Sequence, residues 1–353
     1  MKRIEFIIYG RRTSMIRRCL LLGIFVLIIG SLLHADEGRK GQAGFQFLRI
    51  PVGARETAMG NTGMASSMGS SAYYWNPAGV AMVKGYETQF SNLEWFGGVS
   101  YQQFTGSAAL GTFGAFAISV QYLSVPDIIE TTEEAPDGTG ATIAPYDIAV
   151  GFNFSKMMTD RVAFGMNFKY IGESIGLVTA SAFAVDIGLT YKTEYQGLQL
   201  GFVIQNYGTK GEFTGSGLRR YILRDDGPPN QTPVPVVIES AEIDLPSSVQ
   251  MGLSFLPYKS EQISLMVNAD YVVNTFSANR TNFGTELGYD DKFFLRGGYF
   301  LNSDFNVDKT GQMTFGGGIH YPLTNDFTIS VDYAYVDLGI LNNAQYLTVG
   351  VQF

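Results

Sequence analysis

The stretch DFTISVDYAYVD at residues 326–337 alternates apolar and polar side chains with a period of two. Successive side chains of a β-strand point to opposite faces, so this spacing predicts a strand with one apolar face. A helix would repeat its apolar positions every three or four residues instead. The apolar members are Phe327, Ile329, Val331, Tyr333 and Tyr335.

The same alternation recurs through the chain after residue 85. Counting every such segment predicts about 14 strands. The regular segments lie at 146–154, 162–170, 183–191, 198–204, 249–255, 263–271, 313–321 and 347–353, and the less regular ones at 86–94, 98–106, 112–125, 281–290 and 292–302.

The lengths of the segments and of their connections favour a membrane barrel. Each segment has about 10 residues, as a tilted transmembrane strand requires, whereas soluble strands average about five or six. Outer-membrane barrels alternate short turns with long loops. We therefore expect an all-β fold, a transmembrane outer-membrane β-barrel of about 14 antiparallel strands; the alternative is a secreted soluble β-protein. Short turns are expected at 157–160, 194–197, 290–291 and 322–326, and longer loops at 126–145, 208–245 and 302–311.

The N-terminus carries the features of an export signal. Two arginines precede an apolar run at 19–33, and the small residue Ala35 follows it. This order predicts a signal peptide over 1–35 and export to the bacterial outer membrane. The alternative, a membrane anchor, needs a longer apolar run of about 20 residues. Translation starts at either Met1 or Met15.

Composition excludes several classes of function. Of 353 residues only 16% are charged, the net charge is −8, and the chain holds one cysteine and two histidines. A nucleic-acid binder usually needs a basic face. One cysteine and two histidines leave almost nothing from which to build a zinc site or a His-based catalytic triad. No GxxxxGK[ST], HExxH or GxSxG motif is present, so we expect neither an enzyme nor a cofactor or metal site.

The strand faces opposite the apolar ones are polar or glycine. Polar side chains are solvated in a lumen but not in hydrocarbon, and glycine lets another chain approach the wall closely. A 14-stranded lumen needs a plug, and we assign residues 36–85 to this N-terminal hatch and 86–353 to the barrel. The charged members of the expected lumen face are Asp147, Lys169, Asp186, Asp270, Glu286, Arg296 and Asp332, and its glycines are 151, 165, 188, 201, 252, 284, 298, 316 and 318.

Residues 47–82, FLRIPVGARETAMGNTGMASSMGSSAYYWNPAGVAM, resemble the N-terminal signature of the PorV/PorQ family of outer-membrane proteins, which is related to the FadL-type long-chain fatty-acid transporters. The resemblance covers essentially the whole mature chain and implies a 14-stranded barrel with an N-terminal hatch. The matching pieces lie at 53–55, 58–60 and 74–79, in YDIAVGFNFSKMMTDRVAFGMNFKYIGE at 146–173 and in VDYAYVDLG at 331–339.

The resemblance also places a short motif in the hatch, made of Asn76, Pro77, Ala78 and Gly79. Asparagine favours the start of a turn, proline fixes its own φ, and the two small residues permit close packing. Arg55 needs a partner if it is buried in the lumen, because an unpaired buried charge is costly. Alternatively, Arg55 faces periplasmic water.

Two functions follow from the resemblance. The first is a secretion-associated component of type IX kind, which holds exported proteins at the outer face and contacts them through the loop 208–245. The alternative is a FadL-like passive transporter of hydrophobic small molecules, although the polar lumen face offers no clear acyl-chain groove. The expected partners are outer-membrane lipid and either secretion-system subunits with exported proteins or hydrophobic small molecules.

The chain ends in YLTVGVQF at 346–353, a strand that finishes on Phe353. A terminal strand of this kind resembles the signal by which barrels reach the barrel-assembly machinery. The same strand must pair with the first one, near 86–94, because unpaired strand edges are not satisfied in hydrocarbon. Alternatively, Phe353 is one more aromatic residue of the interfacial girdle.

Overall fold

A computed structural model describes residues 41–195, 197–223, 232–302, 312–324 and 326–353. The predicted signal peptide, residues 36–40 of the predicted hatch, residues 224–231 of the predicted loop 208–245 and most of the predicted loop 302–311 lie outside these residues. In the described part of the chain no helix is long and apolar enough to cross a bilayer.

The described residues form a closed barrel of 14 antiparallel strands, which confirms the predicted fold. Barrel strands that follow one another along the chain are neighbours in the sheet. The strands are 9 to 15 residues long. The strands are β1 (Tyr86–Glu94), β2 (Ser100–Ala109), β3 (Ala115–Ser124), β6 (Tyr146–Met157), β7 (Val162–Ile175), β8 (Val178–Lys192), β9 (Gln199–Gly208), β12 (Ser248–Lys259), β13 (Ile263–Asn274), β14 (Arg280–Tyr289), β15 (Phe293–Asn302), β16 (Gln312–Pro322), β17 (Thr328–Asp337) and β18 (Asn343–Gln352).

The barrel closes where β18 pairs with β1, as the sequence predicted. Phe90 lies opposite Val349 in this register. Just beyond it, the Tyr86 amide donates to the Phe353 carbonyl at 2.7 Å and the Phe353 amide donates back at 2.9 Å. Closure therefore extends to the last residue of the chain.

The connections fall at two ends of the barrel. One end, here called the turn rim, carries residues 85 and 353 and short turns; the other, the loop rim, carries the long connections. In outer-membrane barrels short turns face the periplasm and long loops face the exterior. Within the long connections the structure adds two hairpins that the sequence did not predict, because strands of two to four residues are too short to show a period. They are β4 (Ile128–Ile129) with β5 (Thr142–Ile143), and β10 (Arg219–Ile222) with β11 (Val234–Val237).

The two faces of the wall match the predicted alternation. Large apolar side chains point outward, and Val331 is 41% exposed and Leu295 68% exposed on that face. The polar lumen positions are buried in the protein. Among the charged ones these are Lys169, Asp186, Asp270, Glu286, Arg296 and Asp332, while Asp147 is half-buried.

Residues 41–85, here called the hatch, fill the interior. The hatch starts at the loop rim, where the Gly41 amide donates to the Phe276 carbonyl at 3.1 Å, and it ends beside β1 at the turn rim. Phe45 and Phe47 pack in one core with wall residues such as Tyr101 and Phe300. The elements of the hatch are a 3-10 helix at Gln46–Arg49, α1 (Ala54–Ala58), a 3-10 helix at Gly69–Ser71, α2 (Ala72–Trp75) and a 3-10 helix at Pro77–Met82.

We expect Val331→Arg to destabilise the assembled barrel by about 2–4 kcal/mol, since it places a cation on the lipid-facing side of a membrane strand. Val237→Arg is the matched control, because Val237 is 67% exposed in the β10–β11 hairpin beyond the loop rim. Chemical denaturation of both variants in lipid vesicles measures the difference. Equal stability of the two would show that Val331 does not face lipid.

Candidate functional site

The backbone of the hatch touches the backbone of the wall at glycines on the lumen face. A Cβ atom added at Gly201 would lie 2.0 Å from the Met64 carbonyl oxygen, and one at Gly298 would lie 2.0 Å from the Gly60 nitrogen. Real Cβ atoms do not approach backbone so closely, so the wall has this shape only with glycine there. The lumen glycines thus leave room for a close approach, as the sequence predicted. Other lumen glycines with hatch atoms within 2.6 Å of the added Cβ are 151, 165, 188, 252, 284 and 316.

Polar wall side chains bind the hatch backbone between these glycines. Asp270 on β13 accepts hydrogen bonds at one oxygen from the amides of Gly63 and Met64, at 2.8 and 3.1 Å. The Thr314 hydroxyl donates to the Ala58 carbonyl and accepts from the Gly60 amide, both at 2.8 Å. Short helices leave most of their backbone N–H and C=O groups without a partner inside the helix. When these groups are buried, other parts of the protein must supply their hydrogen-bond partners, as the wall side chains do here.

The predicted hatch motif begins at Asn76, whose side chain is 1% exposed. Its amide nitrogen donates to the Met64 carbonyl at 2.6 Å and to the Thr190 hydroxyl on β8 at 3.1 Å. Its amide oxygen accepts from the Ala78 amide at 3.1 Å and so caps the 3-10 helix that begins with Pro77. The motif therefore joins two parts of the hatch to the wall, while any further role stays a prediction.

Arg55 lies inside the barrel, where it binds the wall. Its Nε and Nη2 atoms each donate to Glu286 at 3.0 Å, which makes a two-pronged pair between α1 and β14. Burial alone lowers the pKa of Arg55, but the carboxylates of Glu286 and Glu56 outweigh it and raise that pKa. The guanidinium thus stays charged, and the partner that the sequence required is Glu286.

The same carboxylate begins a charged row along the wall. Arg296 on β15 donates from Nε to Glu286 at 2.7 Å and from Nη1 to Asp332 on β17 at 2.5 Å. His320 Nε2 lies 3.4 Å from the same Asp332 oxygen. The fold therefore brings together Arg55 of the hatch and three of the predicted lumen residues, Glu286, Arg296 and Asp332.

Two groups were missing from the sequence prediction. Glu56 is fully buried in the hatch, and the Ser67 hydroxyl donates to it at 2.8 Å. His320 joins the charged row through Asp332. The period of β16 places His320 on the lumen face, so alternation alone would have found it, but no local signal marks Glu56.

Lys169 and Asp186 form a second pair, separate from the row that contains Arg55. The Lys169 ammonium lies 2.8 Å from Asp186, and both side chains are at most 5% exposed. Asp186 also accepts from the Asn206 amide at 2.8 Å, where the register between β8 and β9 shifts by one residue. Asp147 is apart from both groups, near the loop rim and opposite Glu173.

These contacts form a polar interface between the hatch and the barrel wall, and this interface fills the lumen. In the residues that the structure describes, no group of three or more His, Cys, Asp or Glu side chains is placed to hold a metal ion. The arrangement is suited to holding the hatch in place. Phe353 lies outside it, at the turn rim, where its ring stacks on Tyr86 at 5.6 Å.

The family profile described as "Type IX secretion system protein PorV" matches residues 34–224, which include the hatch and the first strands of the barrel. The chain belongs to the PorV family. No curated protein sequence matches this PorV-family chain.

Solved structures share the fold of this PorV-family chain at low sequence identity. The "CymD monoaromatic hydrocarbon channel" has 14% identity and a TM-score of 0.54 and covers 86% of this chain and 98% of its own. The Ralstonia pickettii toluene transporter TbuX has 14% identity and a TM-score of 0.52, with 88% and 98% covered. A Pseudomonas aeruginosa FadL homologue has 10% identity and a TM-score of 0.52, with 86% and 98% covered. The chain is thus an outer-membrane β-barrel with a FadL-like fold.

We expect Gly201→Ala to disturb the hatch, because the new methyl group would overlap the Met64 carbonyl and the backbone beside it. Displacement of the hatch opens the lumen, so the variant should conduct ions in planar bilayers where the wild type is closed. Gly297→Ala is the matched control, since a methyl group there meets nothing closer than 4.0 Å. Identical low conductance of all three proteins would show that this contact does not keep the lumen closed.

Proposed function

We propose that this chain is a non-catalytic component of a type IX-like secretion system that binds exported proteins at the outer face. Membership of the PorV family supports a role in a type IX-like secretion system. The proposed binding role rests on an exposed apolar surface of the β10–β11 hairpin at the loop rim. Export through the predicted signal peptide is part of the same proposal.

The hairpin exposes apolar side chains on both faces, with Ile222 and Val234 on one and Tyr221 and Val237 on the other. In the register of β10 and β11, Tyr221 lies opposite Pro235 and Arg219 lies opposite Val237, so Tyr221 and Val237 share a face. Tyr221 is 72% exposed, Val237 67%, and Leu223 60%. A contiguous exposed apolar surface outside the membrane marks a site of protein contact. A two-stranded hairpin also has open edges to which a strand of a partner can add.

The alternative function is passive transport of hydrophobic small molecules. Three features of the interior favour the secretion role over it. The hatch touches the wall at glycines of β6–β9, β12 and β14–β16, and its backbone is bound by wall side chains. The pocket between the hatch and the loop-rim ends of β9 and β12–β15 is only about 50 Å³. A pocket of that size holds about two water molecules, whereas drug-sized ligands occupy several hundred Å³. A larger apolar hollow of about 510 Å³ is lined by outward-facing side chains such as Leu287, Leu295 and Val331, so it lies on the lipid-facing side of the wall and not in the lumen.

The test is affinity purification of the tagged full chain from its native envelope. We expect exported proteins or secretion-system subunits to copurify with the wild type and to fall at least fivefold with the double variant Tyr221→Ser/Val237→Ser. The matched control is Tyr195→Ser, because Tyr195 is 56% exposed at the opposite, turn rim. Its yield of partners should equal that of the wild type.

Two outcomes contradict the proposal. Copurified lipids or hydrophobic small molecules without any protein would favour the transporter. Equal protein yields from the wild type and the hairpin variant would place the contact elsewhere on the barrel.

We further propose that Phe353 is an assembly signal read by the barrel-assembly machinery. Deletion of Phe353 removes one stacked ring and two terminal hydrogen bonds, a small part of a 14-stranded barrel. We therefore expect a large fall in the amount assembled in the outer membrane with little loss of stability in barrels that do form. Quantitative immunoblots and thermal unfolding separate the two effects, and a wild-type amount of assembled protein would refute the signal.

A further inference from the structure

A polar cavity opens at the loop rim between the hatch and strands β9 and β12–β15. Its volume is about 50 Å³. Arg49 and Tyr74 line it from the hatch, and Arg280, Asn274 and Asn302 line it from the ends of three neighbouring strands. The lining of the cavity therefore includes two arginines, one from the hatch and one from the wall.

Arg280 is the unusual member of this lining. Its Nε atom is buried and has no hydrogen-bond partner, and no carboxylate lies within ion-pair distance of its guanidinium in the described part of the chain. The guanidinium also lies over the Phe300 ring, whose centroid is 5.6 Å from Cζ. The carboxylate of Asp270 acts on Arg280 only from beyond ion-pair distance and is itself hydrogen-bonded to the hatch amides. A partly buried charge without a direct counter-charge is destabilising, so Arg280 lowers the stability of the barrel.

Arg49 is exposed where it lines the cavity, so water can solvate its charge. Its Nη1 atom donates to the Gln46 side chain at 3.0 Å, and it forms no ion pair with any described carboxylate. The other lumen arginines differ, because Arg55 and Arg296 each bind carboxylates.

We propose that this cavity binds an oxyanion, a carboxylate or phosphate group, between Arg280 and Arg49. Guanidinium groups bind both anions through paired N–H donors, and the two Nη atoms of Arg280 form no hydrogen bond with the described residues and can supply such a pair. The cavity has room for a small charged group and not for an acyl chain. Either a free anion or the charged end of a larger molecule at the outer face fits this chemistry.

The test uses the full-length barrel in a non-ionic detergent, with Trp75 as reporter. Trp75 lines the cavity, and the Trp95→Phe background leaves it as the single tryptophan. Titration with inorganic phosphate or acetate at constant ionic strength should give a saturable change in its emission. The same anions should raise the thermal unfolding temperature, because they bind only the folded state.

Variants separate a binding role from a structural one. Arg280→Met should weaken phosphate binding at least tenfold and, without anion, raise the unfolding temperature, since it removes an uncompensated charge. Arg280→Lys, which keeps the charge, should retain part of the affinity. Arg161→Met is the control, because Arg161 pairs with Glu194 at the turn rim. It should bind phosphate as the wild type does.

The source of the anion is resolved by comparing phosphate with glycerol phosphate, which has the charged end of a phospholipid without its chains. At least tenfold tighter binding of glycerol phosphate assigns the site to a headgroup, and equal or weaker binding assigns it to a free oxyanion. The proposal is overturned if no anion gives a saturable response. It is also overturned if Arg280→Met binds phosphate as well as the wild type, or if it unfolds at a lower temperature.

Discussion

Hydrocarbon offers no hydrogen-bond partner to a backbone amide or carbonyl, and the architecture of this chain follows from that constraint. A sheet in the membrane must pair every strand edge, so it closes, and here closure reaches the terminal Phe353. A closed sheet has one face toward lipid and one toward a lumen. The side chains therefore separate into an apolar outer set and a polar inner set with a period of two.

The lumen that results is too wide for wall side chains to fill, and the hatch occupies it. Its short helices satisfy few of their own backbone groups, so the wall supplies partners such as Asp270 and Thr314. Glycine on the inner face lets the two backbones touch, while Glu286 neutralises the arginine that the hatch carries inward. Interior polarity thus serves to hold the hatch.

The arginines of the lumen differ in whether a carboxylate neutralises their charge. Arg55 and Arg296 share the carboxylate of Glu286, and Asp332 completes the row. Arg280 lies in the same lumen, and no carboxylate of the described residues forms an ion pair with it. Selection for stability alone would remove or pair such a charge, and binding sites are where proteins retain groups that are costly when empty.

Alternation along each strand was visible in the sequence because it is a local property: neighbouring residues alone decide which side chains face lipid. The alternation predicted the number of strands and the lumen face. The closing pair followed from the need to pair both strand edges in hydrocarbon, and the close approach of the hatch followed from the glycines on the lumen face. Contacts between distant segments were not visible. Arg55 meets Glu286 across 231 residues, and Gly63 meets Asp270 across 207, so only the folded barrel decides these partners. The same holds for the hairpin above the loop rim and for Arg280, which begins β14 one residue before the predicted strand. The sequence by itself determined which face each residue takes, and the tertiary structure decided which residues meet across the lumen, because that depends on how the closed wall and the hatch fit together.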